Sequence, residues 1–374
     1  MPSPAATGPD TRAPVETGLL TIDLAALAAN WRALATRSAP AECSAVIKAN
    51  AYGIGLEEAM RALLGAGCRT FFVANLAEGE RARAVSAEAV VYVLDGLPPG
   101  VGERLAAANL RPVLGSLEDV DAWTAQGYAA RAPLSAALHI DTGMNRYGLP
   151  PALAGEAARR AAGVRLTLVM SHFVSSQLPQ DPRNAGQIAA FATACAAFPG
   201  VPASLCNSSG IFLPQHPHLA LTRPGYALYG GNPTPHAPNP MRPVVRLEAR
   251  IVATREIAAG ESVGYDATWT APRPARLATL GVGYADGIPV SASAHAEKLA
   301  AEALVGGQRC PFVGRVSMDF VVLDVTNARA ARCGDWVEIV GDTIGVDDFA
   351  ARSHTIGYEI LTRLGTRYAR RYVG

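Results

Sequence analysis

The chain has 374 residues, 49% of them hydrophobic, and 33 basic against 32 acidic side chains give a net charge of +1. That balance argues against a nucleic-acid binder, which carries a strong basic excess, and no run reaches the roughly 20 apolar residues of a membrane helix. The six cysteines (Cys43, Cys68, Cys195, Cys206, Cys310, Cys333) are scattered without a C-x-x-C pair, which argues against disulfide and zinc frameworks and fits a reducing cytoplasm.

In chain order, residues 1–17 are rich in Pro, Ala and Thr without an apolar run, and read as a disordered tail and not as a secretory signal. The segment from Gly18 to Leu24 then reads as a strand leading into a helix, and this strand can pair with a second domain. Between residues 40 and 240, short apolar runs alternate with stretches of helical spacing. The runs are Ser44–Ala49, Thr70–Ala74, Ala89–Leu94, Arg111–Leu114, Ala136–Ile140, Leu166–Ser171, Ala203–Cys206 and Ala220–Arg223. Near-continuous apolar strands alternating with helices predict a parallel sheet covered on both faces. Eight such units predict a closed α/β barrel of the (β/α)8 TIM type over residues 18–240.

Residues 231–243 are Pro-rich and read as a linker. Beyond them, strand-like runs separated by Gly-rich turns predict a mostly β domain over residues 241–374, closed by a helix from Val346 to about Leu364. His216-Pro-His218 resembles a metal pair, but in a Pro-rich loop it reads as solvated, and no metal site is expected.

The chemistry concentrates at strand ends. Lys48, Asp141, His172, Asn207 and Arg223 each end a different apolar run, where active sites of such barrels are built. Only Lys48 and Lys298 among the 33 basic residues are lysines, and Lys48 stands in the apolar run Ser44-Ala-Val-Ile-Lys48. Desolvation there disfavours the ammonium and makes the nucleophilic amine accessible. Tyr52 follows with glycines that permit close backbone approach to a ligand. A lysine paired with a buried carboxylate is the competing reading of Lys48 taken alone.

The order of motifs resolves that choice. Lys48-Ala-Asn-Ala-Tyr52-Gly is joined by Asp141-Thr-Gly-Met-Asn-Arg146, Ser171-His172-Phe, Asn207-Ser208, Arg223-Pro-Gly225 and Gly264-Tyr265-Asp. Gly283-Tyr284-Ala-Asp286-Gly and Gly314-Arg-Val-Ser-Met318-Asp319 follow. In this order the chain resembles the alanine racemases among the fold-type III pyridoxal-phosphate enzymes. The resemblance implies a cytoplasmic homodimer that interconverts L- and D-alanine by a two-base mechanism and supplies D-alanine for peptidoglycan. On this resemblance Lys48 is expected to carry pyridoxal 5'-phosphate as a Schiff base and Tyr265 of the neighbouring subunit to be the acid–base on the opposite face, with the following roles implied in the same way. Arg223 faces the pyridine nitrogen, with His172 beside it. Tyr52, Asn207, Ser208, Gly225 and Tyr226 surround the phosphate. Arg146 and the backbone N–H of Met318 meet the substrate carboxylate, Asp319 orients that loop, and Tyr284 lines the entrance.

The chain also departs from the family pattern. Where many members carry a carbamylated lysine, seven residues before Arg146, His139 stands. Arg146 is thereby deprived of a negative brace, and another acid, an anion or His139 itself is left to compensate. The C-terminal stretch offers Thr366 or Tyr368 where relatives have a phosphate-binding tyrosine. Departures near Val174 and Val290 leave serine open as an alternative substrate. Two rivals remain: a non-catalytic pyridoxal-phosphate carrier, which lacks the β domain, and a basic-amino-acid decarboxylase, which uses a cysteine where this loop has Ser317.

Overall fold

A computed structural model describes residues 16–294 and 300–374. Most of the expected tail, and Lys298, lie outside the described residues. Backbone contacts divide the chain into two compact units, one of residues 23–245 with the last two residues, the other of the N-terminal residues up to Ile22 with 246–372.

The first unit is the barrel. After β1 (Gly18–Asp23) and α1 (Leu24–Ser38) come β2 (Glu42–Cys43), β3 (Ala45–Val46), β4 (Thr70–Val73), β5 (Val90–Val93) and β6 (Arg111–Leu114). Then follow β7 (Ser135–His139), β8 (Arg165–Met170), β9 (Ala203–Ser204) and β10 (Leu221–Thr222). From β3 to β9 each strand pairs in parallel with the next, and β10 pairs in parallel with β2. The N–H groups of Ala220 and Arg223 donate to the carbonyls of Ala203 and Cys206 at 3.0 and 2.8 Å, which closes the ring. Ser44 alone separates β2 from β3, so the two halves are one staggered strand and the barrel is eight-stranded, as the alternation predicts. On its strands Phe71, Val91, Val113, Leu138 and Val169 are buried, each at most 1% exposed. A fully buried side chain of this size contributes about 1.5–3 kcal/mol by leaving water.

Helices cover the strands, and several begin on a side-chain cap that the sequence places at the strand-to-helix turn. Asp23, Asn75 and Ser116 accept from the backbone N–H three residues on, at 2.8, 3.0 and 3.0 Å. Each such cap is worth about 1 kcal/mol and fixes where the preceding loop ends. The Pro-rich stretch expected as a linker is packed instead. Asn30 on α1 donates to the carbonyls of Leu228 and Arg242 and accepts from the Arg242 N–H, and Met241 is buried. Prolines remove donors, and Asn232 and Asn239 within the stretch satisfy others of its backbone groups.

The second unit is built on β11 (Val245–Ile257). Strands run Gln308–Pro311, Glu302–Val305, Trp336–Val340, β11, β1 and Ala369–Val373, with Ala275–Leu280 and then Val321–Asp324 added beside β11. The N-terminal strand thus belongs to this sheet, since Leu19, Leu20 and Ile22 are buried there. The helix expected over Val346–Leu364 is two short ones, Val346–Arg352 and Gly357–Thr362. His354, in the left-handed region at φ 54°, breaks it. The histidine pair also differs from expectation. His218 is buried, its ring nitrogen bonding the Ile211 carbonyl at 3.0 Å, so it ties down the loop rather than facing water. Among the described residues no helix is long and apolar enough to cross a membrane, and no group of three or more potential ligands is placed to hold a metal.

Candidate active site

The barrel brings its polar strand-end residues to one mouth. Lys48 follows β3, Arg146 lies beyond β7, His172 follows β8, Asn207 and Ser208 follow β9, and Arg223 follows β10. Their fields overlap. Lys48 feels Arg146, Asp95 and Glu78, and His172 feels Arg223, Arg146, His139 and Lys48. Burial first, then the Arg146 charge, pull the Lys48 ammonium below the usual lysine range, against the opposing pull of Asp95 and Glu78. That is the direction a nucleophilic amine needs.

Lys48 opens a left-handed turn. Ala49, Asn50, Ala51 and Tyr52 have φ of 52°, 54°, 53° and 51°, a conformation that costs about 1–2 kcal/mol per residue. It persists because its surroundings over-determine it. Glu78 accepts the Asn50 N–H through Oε1 and the Ala74 N–H through Oε2, both at 2.9 Å. Arg81 donates to Asn50 Oδ1 at 2.8 Å. The turn delivers Tyr52, whose ring stacks on Tyr229 with centroids 4.5 Å apart, while Tyr229 donates to the Val46 carbonyl. None of this bracing is legible in the lysine motif, although Asn75 with Glu78 is the N-terminal pattern of a helix and marks where the brace begins.

Across the mouth, Ser208 Oγ accepts two backbone N–H groups, from Gly225 at 3.0 Å and Ala227 at 3.1 Å, so its own proton is free to donate outward. A Cβ at Gly225 would stand 2.4 Å from Tyr52 Oη, so only glycine lets the phenol reach this loop. Asn207 Oδ1 accepts from Ser176 Oγ and the Gly210 N–H and shapes the turn without facing it. Tyr226 is buried beside Gly231. A serine hydroxyl with its proton turned outward and a tyrosine, brought close by a glycine at the last two strands of a barrel, suit a phosphate dianion.

Arg223 is 4% exposed. Its guanidinium donates to Ser204 Oγ and to the Ser171 carbonyl and lies over the Phe72 ring, 5.9 Å from the centroid. Burial lowers its pKa to about 10, which leaves it cationic at neutral pH. Among the described residues no carboxylate pairs with it, and its remaining N–H donors suit a neutral acceptor such as an unprotonated pyridine nitrogen. Ser204 was not foreseen, because alternation along so short a strand does not show which hydroxyl faces the barrel axis.

His139 answers one question the sequence leaves open. It is 8% exposed, and burial with the nearby Arg223 charge lowers its pKa from 6.5 to about 4. It is therefore a neutral ring, set edge-on to Tyr147 with centroids 5.8 Å apart, and brings no negative charge to Arg146. Arg146 is exposed and makes no ion pair among the described residues.

The remaining expected residues lie in the second unit and are exposed: Tyr265 at 68%, Met318 at 53% and Tyr284 at 44%. Tyr265 sits between Gly264 and Asp266, both at positive φ, and Arg315 bonds Asp266. The Met318 N–H meets no acceptor among the described residues. Asp319 accepts from Arg367 at 2.9 Å. Tyr368, the suggested phosphate contact, is buried against Gly18 in this unit's sheet.

A closed (β/α)8 barrel with a strained lysine turn, a phosphate-type loop at its last strands and a following β unit defines a barrel-type pyridoxal-phosphate enzyme. The alanine racemase N-terminal domain model matches residues 22–233 and the C-terminal domain model residues 244–372. An alanine racemase from Methylobacterium nodulans is 56% identical over 360 residues, 95% of each chain. The crystal structure of alanine racemase from Bartonella henselae with covalently bound pyridoxal phosphate superposes with a TM-score of 0.90 at 36% identity, over 96% of this chain and 99% of that one. A biosynthetic alanine racemase from Pseudomonas aeruginosa gives 0.89 at 36% identity, over 96% and 100%. The chain belongs to the alanine racemase family. It is a pyridoxal-phosphate-dependent enzyme that interconverts L- and D-alanine.

Proposed function

We propose that the reaction runs on two bases, Lys48 from the barrel of one subunit and Tyr265 from the β unit of another, in a cytoplasmic homodimer that supplies D-alanine for peptidoglycan. The observation that carries this reading is the exposure of Tyr265, Tyr284 and Met318 together on the unit that lacks the lysine. Exposed large apolar groups clustered on one face mark a surface that is covered in the working assembly. Tyr265 borders a cavity of 540 Å³ lined by Ile257, Val263, Leu277, Phe320 and Val322. Six free thiols support the cytoplasmic setting.

Pyridoxal phosphate, when bound, supplies a conjugated electron sink for negative charge at the substrate α-carbon. Lys48 Nζ would hold its aldehyde carbon and would serve as the base on one face of the substrate α-carbon. Tyr265 Oη is the acid–base on the other. Ser208 Oγ, Tyr52 and Tyr226 would hold the phosphate, with Gly225 permitting their close approach and Asn207 shaping the loop. Arg223, beside a neutral His172, would donate to the ring nitrogen, and as a donor-only group it would disfavour protonation there and favour simple return of the proton over other chemistry. Arg146 and the Met318 N–H bind the substrate carboxylate, Asp319 holds the Met318 loop, and Tyr284 stands at the entrance.

Replacement of Tyr265 by Phe tests the assignment. Removing one acid–base group costs about 10²–10⁴-fold at its own step. Exchange of the α-proton of L-alanine with deuterated solvent should fall by that order, while exchange from D-alanine stays within a few-fold. An equal fall for both isomers would remove Tyr265 from its one-sided role.

A further inference from the structure

The loop that carries Met318 does not stand alone. Its carbonyls are taken by a second loop: the Tyr284 N–H donates to the Ser317 carbonyl and the Ala285 N–H to the Met318 carbonyl, both at 3.0 Å. The approach is so close that a Cβ at Gly283 would stand 2.3 Å from the Ser317 oxygen. A third segment, residues 363–367, closes on the second. The Gly365 N–H donates to the Asp286 carbonyl at 3.1 Å, and a Cβ at Gly287 would stand 1.9 Å from the Arg363 oxygen. One side chain spans all three. Arg367 Nε lies 3.1 Å from Asp286 Oδ1 on the second loop, and its Nη1 lies 2.9 Å from Asp319 Oδ1, next to Met318.

The two arms differ. The Asp286 side chain is 4% exposed, and its other oxygen accepts the Gly283 N–H at 2.8 Å. Asp319 and Arg367 are about half exposed, and a pair of that kind adds little stability. What the second arm supplies is direction, because a planar guanidinium offers donors at fixed angles and cannot meet one carboxylate without setting where the other must be.

We propose that Arg367 is a positioning residue for substrate binding: by joining Asp286 to Asp319 it sets the aim of the Met318 N–H and the placement of Tyr284. This rests on the reading of Met318 as a carboxylate contact. Arg367 touches neither substrate nor cofactor, and its effect belongs on the carboxylate of both enantiomers equally.

The test uses the holoenzyme and compares Arg367→Gln with Met318→Pro, which deletes the N–H itself. Losing the aim of one hydrogen bond to a charged group corresponds to about tenfold in affinity. Arg367→Gln should raise KM for L- and D-alanine by that common factor and weaken inhibition by propionate, a carboxylate without an amine, to the same extent. Cofactor absorbance should be unchanged and kcat should move less than about threefold. Arg367→Lys, which keeps the charge but reaches one carboxylate, should fall between, and it carries the test if the glutamine variant does not fold. Unchanged KM and propionate inhibition in the Arg367 variants, with KM raised and inhibition weakened by Met318→Pro, overturns the role of Arg367 and leaves the carboxylate reading standing. If Met318→Pro is also silent, that reading falls as well.

Discussion

A histidine buried beside an arginine is a chemical statement about which charges the site tolerates. Neutral His139 and His172 line the mouth with Arg223 and Arg146, and both are kept below the usual histidine range by burial first and by Arg223 next. The consequence for stability follows from proton linkage. In the unfolded chain these histidines take up protons near pH 6.5, whereas folded His139 does so near 4. The unfolded state therefore binds more protons between those values, so the contribution is complete above about pH 6.5 and is lost as pH falls toward 4. For His139 alone the span is on the order of 3 kcal/mol. Denaturant titrations of wild type and His139→Asn from pH 4 to 7.5 should show a steeper loss in the wild type. Parallel curves would mean that His139 takes up its proton in the folded enzyme as it does in the unfolded chain. At this scale the sequence spoke clearly about Lys48, Arg223 and Tyr265, whose side chains are chemically distinctive. It was silent on Ser204, Glu78 and Arg367, common residues whose meaning lies in contacts with segments far along the chain.

Among the elements, the turn from Ala49 to Tyr52 is the least ordinary. Its local conformation opposes intrinsic backbone preference, so Glu78 and Arg81 add support beyond the turn's own hydrogen bonds. Glu78→Ala leaves two backbone N–H groups, those of Asn50 and Ala74, without their carboxylate. It should cost about 2–4 kcal/mol in unfolding free energy and speed loss of pyridoxal phosphate on dialysis. Urea denaturation and absorbance of the dialysed protein measure the two effects. Unchanged stability and retention would show that the turn holds itself. Strand positions were legible because parallel strands are buried on both faces and read as apolar runs. The broken C-terminal helix and the packed Pro-rich stretch were not, because a left-handed residue at His354 and a buried Asn30 act through geometry that periodicity does not encode.

On the scale of the whole molecule, the division of chemistry between two units explains why neither is a complete enzyme in this account. The barrel holds the lysine and the loop proposed for the phosphate, and the β unit offers Tyr265 and the Met318 N–H, which meets no acceptor among the described residues, on an exposed face. The eight-fold alternation and the change to strands and turns after residue 243 were both readable, since each architecture has its own period of apolar residues. That the first strand belongs to the second unit was readable only as a possibility, because a single short strand carries no mark of its partner.

Mixing two inactive chains puts the shared site to the most direct trial. Lys48→Ala lacks the amine and Tyr265→Phe lacks the phenol. If each site joins the barrel of one subunit to the tyrosine of the other, a dimer of one chain of each kind contains one wild-type site and one doubly defective site. Co-refolding the two variants in equal amounts should then restore L-to-D racemisation to about a quarter of the wild-type rate, since half of the dimers are mixed and each carries one of two sites. A mixture no more active than its separate parts, with heterodimers shown to have formed, would contradict sharing between subunits.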